Sequence, residues 1–391
     1  MRRISAGERR ARLARRHRLG PANGAGDPVE ASRSVVALHS TDPVTVYLSV
    51  RARTDGVLPA DVERALYDDR TLVRVLAMRR TLWVVPRDLL PVVLAAATRT
   101  VAERERRRLE GFVRDSGISA RPAAWLARAE KAALAAVEAR GEAFSTDVAR
   151  DVPMLAKKLR LGAGTRWETT QSAAVRVLPQ LAMDGKLVRG RPRTGWSNGQ
   201  YRWVPAGAWL GGPVEQLEPA AAQAELLRRW LAAFGPGTET DLRWWTGWTA
   251  RETRASLAAV AHEAVDLGGA TGFVLAGDDE PVEPLEPWAA LLPTLDPTTM
   301  GWKERDWYLG PHAGVLFDSN GNAGPTVWWD GRVVGGWGQR RDGEIVFRLL
   351  EEVGADGVTA VEAEAERLAA WVGDTRFTPG FLPPFQRVLA R

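Results

Sequence analysis

Two Asp-Pro dipeptides, Asp27-Pro28 and Asp42-Pro43, constrain the first part of this chain more than any other feature. An Asp side chain accepts hydrogen bonds from the free N–H groups of a helix's first turn, and Pro suits the first helical position because no bond is needed there. Each dipeptide therefore predicts a helix start. The first helix carries Val29, Val36 and Leu38 toward His39, and the second covers Val44 to Arg53. His39-Ser40-Thr41 is left at a tight helix-to-helix junction. A further helix is expected over residues 60–68. Leu72-Val73-Arg74-Val75 and Thr81-Leu82-Trp83-Val84-Val85 then read as short strands, with Arg79-Arg80 between or beside them. Three helices followed by a two-stranded wing is the order of a winged helix.

The pattern recurs. Residues 86–140 read as mostly helical. Ser145-Thr146-Asp147 starts a helix, Met154 to Leu161 suggests another, and Trp167 to Met183 suggests a long amphipathic one with Pro179 inside it. A hairpin follows, from Lys186-Leu187-Val188-Arg189 to Gln200-Tyr201-Arg202-Trp203-Val204. A third round runs through residues 219–234, a helix capped at Thr238 that carries Trp244, Trp245 and Trp248, a helix from Ala250 to Ala261, and Gly272 to Leu275 as its wing. From Pro284 the style changes to short strands at Leu291-Leu292, Gly314–Phe317, Thr326–Trp329, Val333–Trp337 and Ile345–Phe347, with a hairpin turn at Asp330-Gly331 and a closing helix at 359–371. The expected class is α+β. Three tandem winged helices, at 1–140 with a basic N-terminal helix, 141–210 and 211–283, precede a small β-barrel-like domain with a Pro-rich tail at 284–391.

Composition removes several chemistries. There is no cysteine, which excludes disulfides, thiolate-bound zinc, iron–sulfur clusters and cysteine nucleophiles. The four histidines, His17, His39, His262 and His312, are far apart in sequence, so neither a metal site nor a cofactor is expected. The sequence contains no GxxxxGK[ST] or HExxH motif. No apolar run approaches the roughly 20 residues a membrane helix needs. The Arg-rich N-terminus lacks the apolar segment of a secretory signal. A cytoplasmic location is therefore expected. The net charge is +5, and lysine occurs only at 131, 157, 158, 186 and 303. Arginine suits phosphate and guanine recognition, although GC-rich coding produces the same bias. Residues 1–20 read as a strongly basic helix with Ser5 and Glu8 at capping-box spacing, followed by a Gly-rich linker at 20–26.

Leu38-His39-Ser40-Thr41-Asp42-Pro43, followed by Tyr47-Leu48 and Arg51, resembles the N-terminal motif region of the AlkZ/YcaQ superfamily of winged-helix DNA glycosylases, including the azinomycin-resistance type. Arg79-Arg80-Thr81-Leu82, Phe234-Gly235-Pro236 with Trp244-Trp245, Leu295-Asp296-Pro297 and Asp330-Gly331-Arg332-Val333-Val334-Gly335 extend the likeness along nearly the whole chain. The resemblance implies three winged helices and a β-barrel around a DNA-sized channel. It also implies a Gln-x-Gln or Gln-x-Asp pair that holds the catalytic water, and here those positions fall on His39 and Thr41. The implied partner is double-stranded DNA with alkylated bases. The protein is expected to act as a monomer, associated with the nucleoid through DNA, without a membrane.

Hydrolysis of an N-glycosidic bond passes through an oxocarbenium-like state, so the enzyme must place a water against the sugar and favour positive charge there. In this reading neutral His39 takes the water's proton, Thr41 orients the water, and Asp42 holds the imidazole tautomer or only caps the next helix. The competing reading makes His39 and Thr41 caps and nothing more. A lyase step needs an amine to form a Schiff base; the lysine nearest to His39 in sequence is Lys131, so monofunctional action is expected. DNA contacts are expected from Lys186, Arg189, Arg191, Arg193 and Arg202, five cations with no acid between residues 185 and 203. Arg51, Arg79 and Arg80 are expected to join them, with Trp196 and Trp302 in loops able to stack on a base or fill the gap left by one. The alternative function is a winged-helix regulator without catalysis, because a fold does not fix a function.

Overall fold

The computed structural model describes residues 1–21, 23–380 and 383–389. Residue 22 of the expected linker, and residues 381, 382, 390 and 391 of the expected tail, lie outside the described residues.

An N-terminal helix, α1 (Ala6–Arg16), begins where the Ser5 hydroxyl accepts from the Glu8 N–H at 3.1 Å. Asp27 then caps α2 (Pro28–Ser34) through the N–H groups of Val29 and Glu30, at 2.7 and 2.8 Å. After α2 the chain forms a short strand, β1 (Leu38–His39), rather than running helix to helix. Asp42 caps α3 (Pro43–Arg51), and α4 (Pro59–Glu63) continues as a wider turn to Asp68. Strands β2 (Leu72–Leu76) and β3 (Leu82–Pro86) form a hairpin, and β1 lies along the free edge of β3, giving the order β1-β3-β2.

The same connectivity appears twice more. Helices α5 (Arg99–Asp115) and α6 (Pro122–Arg140) lead to Ala143, which bridges antiparallel to Trp203. Then follow α7 (Ser145–Asp151), an inserted hairpin of β4 (Lys158–Leu161) and β5 (Thr169–Ser172), α8 (Ala174–Met183), and the hairpin of β6 (Leu187–Pro192) and β7 (Tyr201–Pro205). In the third round α9 (Pro219–Phe234) leads to Gly237, which bridges to Phe273. Helices α10 (Glu239–Thr246) and α11 (Ala250–Ala259) precede the hairpin of β8 (His262–Asp266) and β9 (Thr271–Leu275). In each round the leading residues pair with the second strand of the hairpin.

Four further expected elements differ. Lys158–Leu161 is a strand because Leu159 and Leu161 are buried while Lys158 and Arg160 are exposed, a period of two rather than 3.6. The helix expected from Trp167 starts only at Ala174, since β-branched Thr169 and Thr170 take the opposing strand. Gly314–Phe317 is a short helix at Ala313–Leu316, an apolar run too short for periodicity to distinguish. The C-terminal strands β10 (Ala289–Leu292), β11 (Thr326–Trp329), β12 (Arg332–Gln339) and β13 (Ile345–Leu349) form a sheet in sequence order, and among the described residues β10 and β13 are not paired with each other. The β-barrel is thus an open four-stranded sheet, with α12 (Gly354–Val372) packed on it.

Helix α3 is the shared element. Every residue from Val44 to Val50 is buried, so the helix is enclosed on all sides. Val46, Tyr47 and Val50 join the first core, whereas Val44 and Leu48 pack with Leu291, Val327, Val334 and Trp337 of the C-terminal sheet. Polar groups fasten the same helix: Thr45 Oγ1 donates to the Thr294 carbonyl at 2.8 Å, and Ser49 Oγ donates to Asp296 at 2.6 Å. Arg53 pairs with Asp296 at 2.7 Å, both side chains fully buried. The loop before α3 is therefore fixed relative to both ends of the chain.

Candidate functional site

His39-Ser40-Thr41 runs off the edge of the first sheet into the Asp42 cap. The Ser40 N–H donates to the Leu82 carbonyl at 2.8 Å, and the Leu82 N–H donates to Thr41 Oγ1 at 3.3 Å. His39 is 2% exposed, its ring 4.8 Å from that of Trp83. Its Nδ1 accepts the Thr41 N–H at 3.4 Å, which assigns the ring proton to Nε2. Thr41 itself is exposed. The junction thus presents one exposed hydroxyl beside a buried, neutral imidazole.

Burial pushes the His39 pKa down to about 3, with the Arg79 guanidinium adding to the effect. This corrects the expectation of an imidazole titrating near neutrality. Such a ring is a hydrogen-bonding group, weaker as a base than a free histidine by a factor of roughly a few thousand. Asp42 is also buried, and burial raises its pKa against the lowering effect of two backbone bonds. Those bonds come from Val44 at 3.2 Å and Gly380 at 2.8 Å, so the carboxylate caps α3 and holds the C-terminal segment rather than contacting His39.

The expected DNA-binding residues divide sharply. Arg191 meets Asp68 at 2.7 Å and Glu63 at 3.4 Å, and Arg202 meets Glu142 at 2.8 Å. Acids from distant parts of the chain thus neutralise two of the five hairpin cations. Arg193 is exposed, lies 4.1 Å from the Phe144 ring and bonds only Gln200, a neutral partner. Lys186 is exposed. Arg189 stacks 4.6 Å from the Trp203 ring, and burial together with Arg74 lowers its pKa to about 10. Arg51 pairs with Glu364 of α12, tying two elements together. Arg80 meets Glu105 at 2.7 Å. Arg79 lies 4.0 Å from the Trp244 ring, with its Nε unpartnered and its φ at 53°. Arg80 shares the left-handed backbone at φ 60°, so the turn between β2 and β3 is strained at two successive non-glycine residues.

The two candidate tryptophans part company. Trp196 is half-buried, 4.9 Å from Tyr47 and 6.0 Å from Trp371, so the hairpin tip folds back over α3. Trp302 is 2% exposed, lies against His17, Phe234, Trp307 and Tyr308, and donates Nε1 to the Phe234 carbonyl at 3.1 Å. It is a core residue and offers no free face to a base. The basic N-terminal helix is likewise structural: Arg12 and Arg16 meet Asp278, Arg9 stacks on Trp307, and Arg15 bonds the Glu283 carbonyl.

One cluster escaped the sequence reading. Arg74 is buried in β2, donates Nε to Ser40 Oγ at 2.7 Å and Nη1 to the Tyr67 hydroxyl at 3.0 Å, and lies 4.3 Å from the Tyr201 ring. The Tyr201 hydroxyl beside it has no hydrogen-bond partner, and the Tyr47 hydroxyl has only that of Tyr67 next to it. A cation in the middle of the apolar run Leu72–Leu76 was the available signal.

A family model described as AlkZ-like, DNA glycosylase AlkZ-like, matches residues 33–371. Among solved structures the chain is similar to Streptomyces sahachiroi DNA glycosylase AlkZ, with a TM-score of 0.73 and 21% identity, over 96% of this chain and 98% of that one. At that identity the likeness is one of fold. No curated protein matches.

Proposed function

The chain belongs to the AlkZ-like DNA glycosylase family, and on that premise we propose that it hydrolyses the N-glycosidic bond of alkylated purines in double-stranded DNA. Bulky N7-alkylguanine adducts are the favoured substrates, whether in general repair or in self-resistance to an alkylating antibiotic. The observation that carries this reading beyond the family is the His39–Thr41 junction: an exposed hydroxyl fixed beside a neutral imidazole at the head of the most constrained helix.

In the proposed mechanism Thr41 Oγ1 and the Nε2–H of His39 hold the water against the sugar. N7-alkylguanine carries a positive charge and leaves as a neutral base with the bonding electrons while the sugar becomes oxocarbenium-like, so the water needs orientation more than early deprotonation; it bonds to C1′ and then sheds its proton to solvent. A weakly basic His39 suits that division of labour. The imidazole stays uncharged and adds no positive field against the developing cation. Asp42 supports the pair by fixing the start of α3. Monofunctional action fits the surroundings of His39, where the charged group that acts on it is Arg79 and not a lysine.

The three repeated rounds of helices and hairpin are read as winged helices around a DNA channel. Their repeated pairing order supports this. Arg189 and Arg193 of the second hairpin and Arg79 of the first form no ion pair among the described residues and are proposed to meet the backbone, with the exposed Lys186 and with Arg80 beside them. Trp196 at the hairpin tip is proposed to lie next to the extruded nucleotide. Incubation with a duplex carrying one N7-alkylguanine, followed by heat or alkali, should reveal abasic sites as strand breaks. No breaks with any N7-alkylguanine duplex, under conditions where the duplex is bound, overturns the enzymatic reading.

A further inference from the structure

Tyr201 and Trp203 are two residues apart on β7 and share one face of the hairpin. Arg189 is the cross-strand partner of Trp203, so its side chain emerges on that face too. From the facing sheet Arg74 reaches over the Tyr201 ring at 4.3 Å. Two guanidiniums, each laid on an aromatic ring, therefore meet at the seam between the first unit and the second hairpin. Neither Arg74 nor Arg189 forms an ion pair among the described residues; the carboxylates whose charge reaches this seam are Glu63, which acts on Tyr47, and Asp42, which acts on Tyr201.

Like charges left together without an acid are costly unless an anion completes them. The seam also holds two hydroxyls suited to an anion. Tyr47 is 1% exposed and Tyr201 is half-buried; the Tyr201 hydroxyl has no partner, and that of Tyr47 has only the Tyr67 hydroxyl beside it. Hydroxyl donors and planar guanidinium forks together are the recognition chemistry of a phosphate oxygen. Neighbouring arginines behave differently: Arg191, one turn of the pleat further along β6, is neutralised by Asp68 and Glu63.

The geometry points to this seam as the seat of one DNA phosphodiester, held by Arg189, Arg74 and the hydroxyls of Tyr47 and Tyr201. The inference rests on the DNA-glycosylase reading above and deepens it. Arg74 already donates Nε to Ser40 Oγ, between His39 and Thr41. A phosphate seated on Arg74 is therefore one residue's hydrogen bond from the proposed water-holding pair, and belongs to the lesion nucleotide or its immediate neighbour. Arg74 is a positioning residue in this scheme: it sets the loop while the phosphate sets the strand.

The test is binding of the full chain to a fluorescent duplex containing one N7-alkylguanine, across a salt series. Arg189→Gln should weaken binding about tenfold and lower the slope of log affinity against log salt by about one, the signature of one phosphate contact. Tyr201→Phe keeps the ring under Arg74 and should weaken binding by about threefold, a loss too small to come from misfolding. Single neutral methylphosphonates are then placed at each phosphate flanking the lesion. One position should weaken wild type by about tenfold yet leave Arg189→Gln unaffected. If Arg189→Gln keeps the wild-type slope, or keeps every methylphosphonate penalty, the seat is wrong while the family reading stands. If wild type does not bind the duplex at all, both fall together.

Discussion

Lowering the pH from 7 to 5 should destabilise the fold through its buried histidines, and the share of His39 can be worked out in advance. Burial holds the His39 pKa at about 3, whereas an unfolded histidine titrates near 6.5. Between those values the unfolded chain binds a proton that the folded one refuses, so stability rises with pH through the window and falls as pH drops below about 6.5. At pH 5 the unfolded imidazole is almost fully protonated and at pH 7 about a quarter protonated. At about 1.4 kcal/mol per pH unit, the loss attributable to His39 is about 2 kcal/mol. His17, fully buried between Thr298 and the Ala233 carbonyl, is lowered in the same direction, chiefly by burial. Asp42, Asp241 and Glu130, raised by burial, act in the opposite sense. Subtraction isolates His39: urea unfolding followed by tryptophan fluorescence is compared for wild type and His39→Gln at both pH values. The wild type should lose about 2 kcal/mol more than the variant between pH 7 and 5. If both lose the same amount to within about 0.5 kcal/mol, His39 is not buried neutral and the weak-base mechanism loses its footing.

Thr41→Val should cut excision of N7-alkylguanine by about a hundredfold or more, with DNA affinity within a few-fold of wild type, because in the proposed mechanism the exposed hydroxyl orients water rather than binding the strand; single-turnover kinetics and anisotropy separate the two. Asp296→Ala removes the acceptor for Ser49 and strands the fully buried Arg53, so urea unfolding should show a loss of about 3–5 kcal/mol, whereas Arg53→Met with Asp296→Leu should recover much of it. Trp302→Ala should cost about 3–5 kcal/mol in the same assay, and Trp302→Phe should leave DNA affinity unchanged, since that ring lies inside the core. Arg191→Gln should leave the salt slope of DNA binding unchanged, and Arg193→Gln should lower it by about one, because Asp68 and Glu63 already neutralise the former.

Local signals carried the fold a long way. Asp27-Pro28, Asp42-Pro43 and Thr238 mark true helix starts because capping is a contact within three residues, and sequence contains all of it. The failures came where the deciding contact is remote or the segment short. Leu38–His39 is a strand only because β3 lies beside it, and nothing in two residues announces that. Residues 262–266 form β8 with Val265 alone buried, too little apolar alternation to read. The open sheet and the expected barrel have the same strand sequences; closure depends on whether β13 meets β10, a long-range pairing without a local signature.

The candidate site shows why charge is harder to read than shape. Counting along the chain found five cations and no acid on the second hairpin, yet Arg191 and Arg202 are neutralised by Asp68, Glu63 and Glu142 from other elements. Four arginines that form no ion pair rest on rings instead: Arg189 on Trp203, Arg193 on Phe144, Arg74 on Tyr201 and Arg79 on Trp244. Stacking of this kind needs the planar guanidinium and fixes its direction without neutralising it. The bias toward arginine, which coding composition alone could produce, therefore acquires a structural meaning at these four positions. Lysine there would keep the charge and lose the orientation. On the proposed reading, that distinction separates a basic surface that attracts DNA from one that places a particular phosphate beside His39 and Thr41.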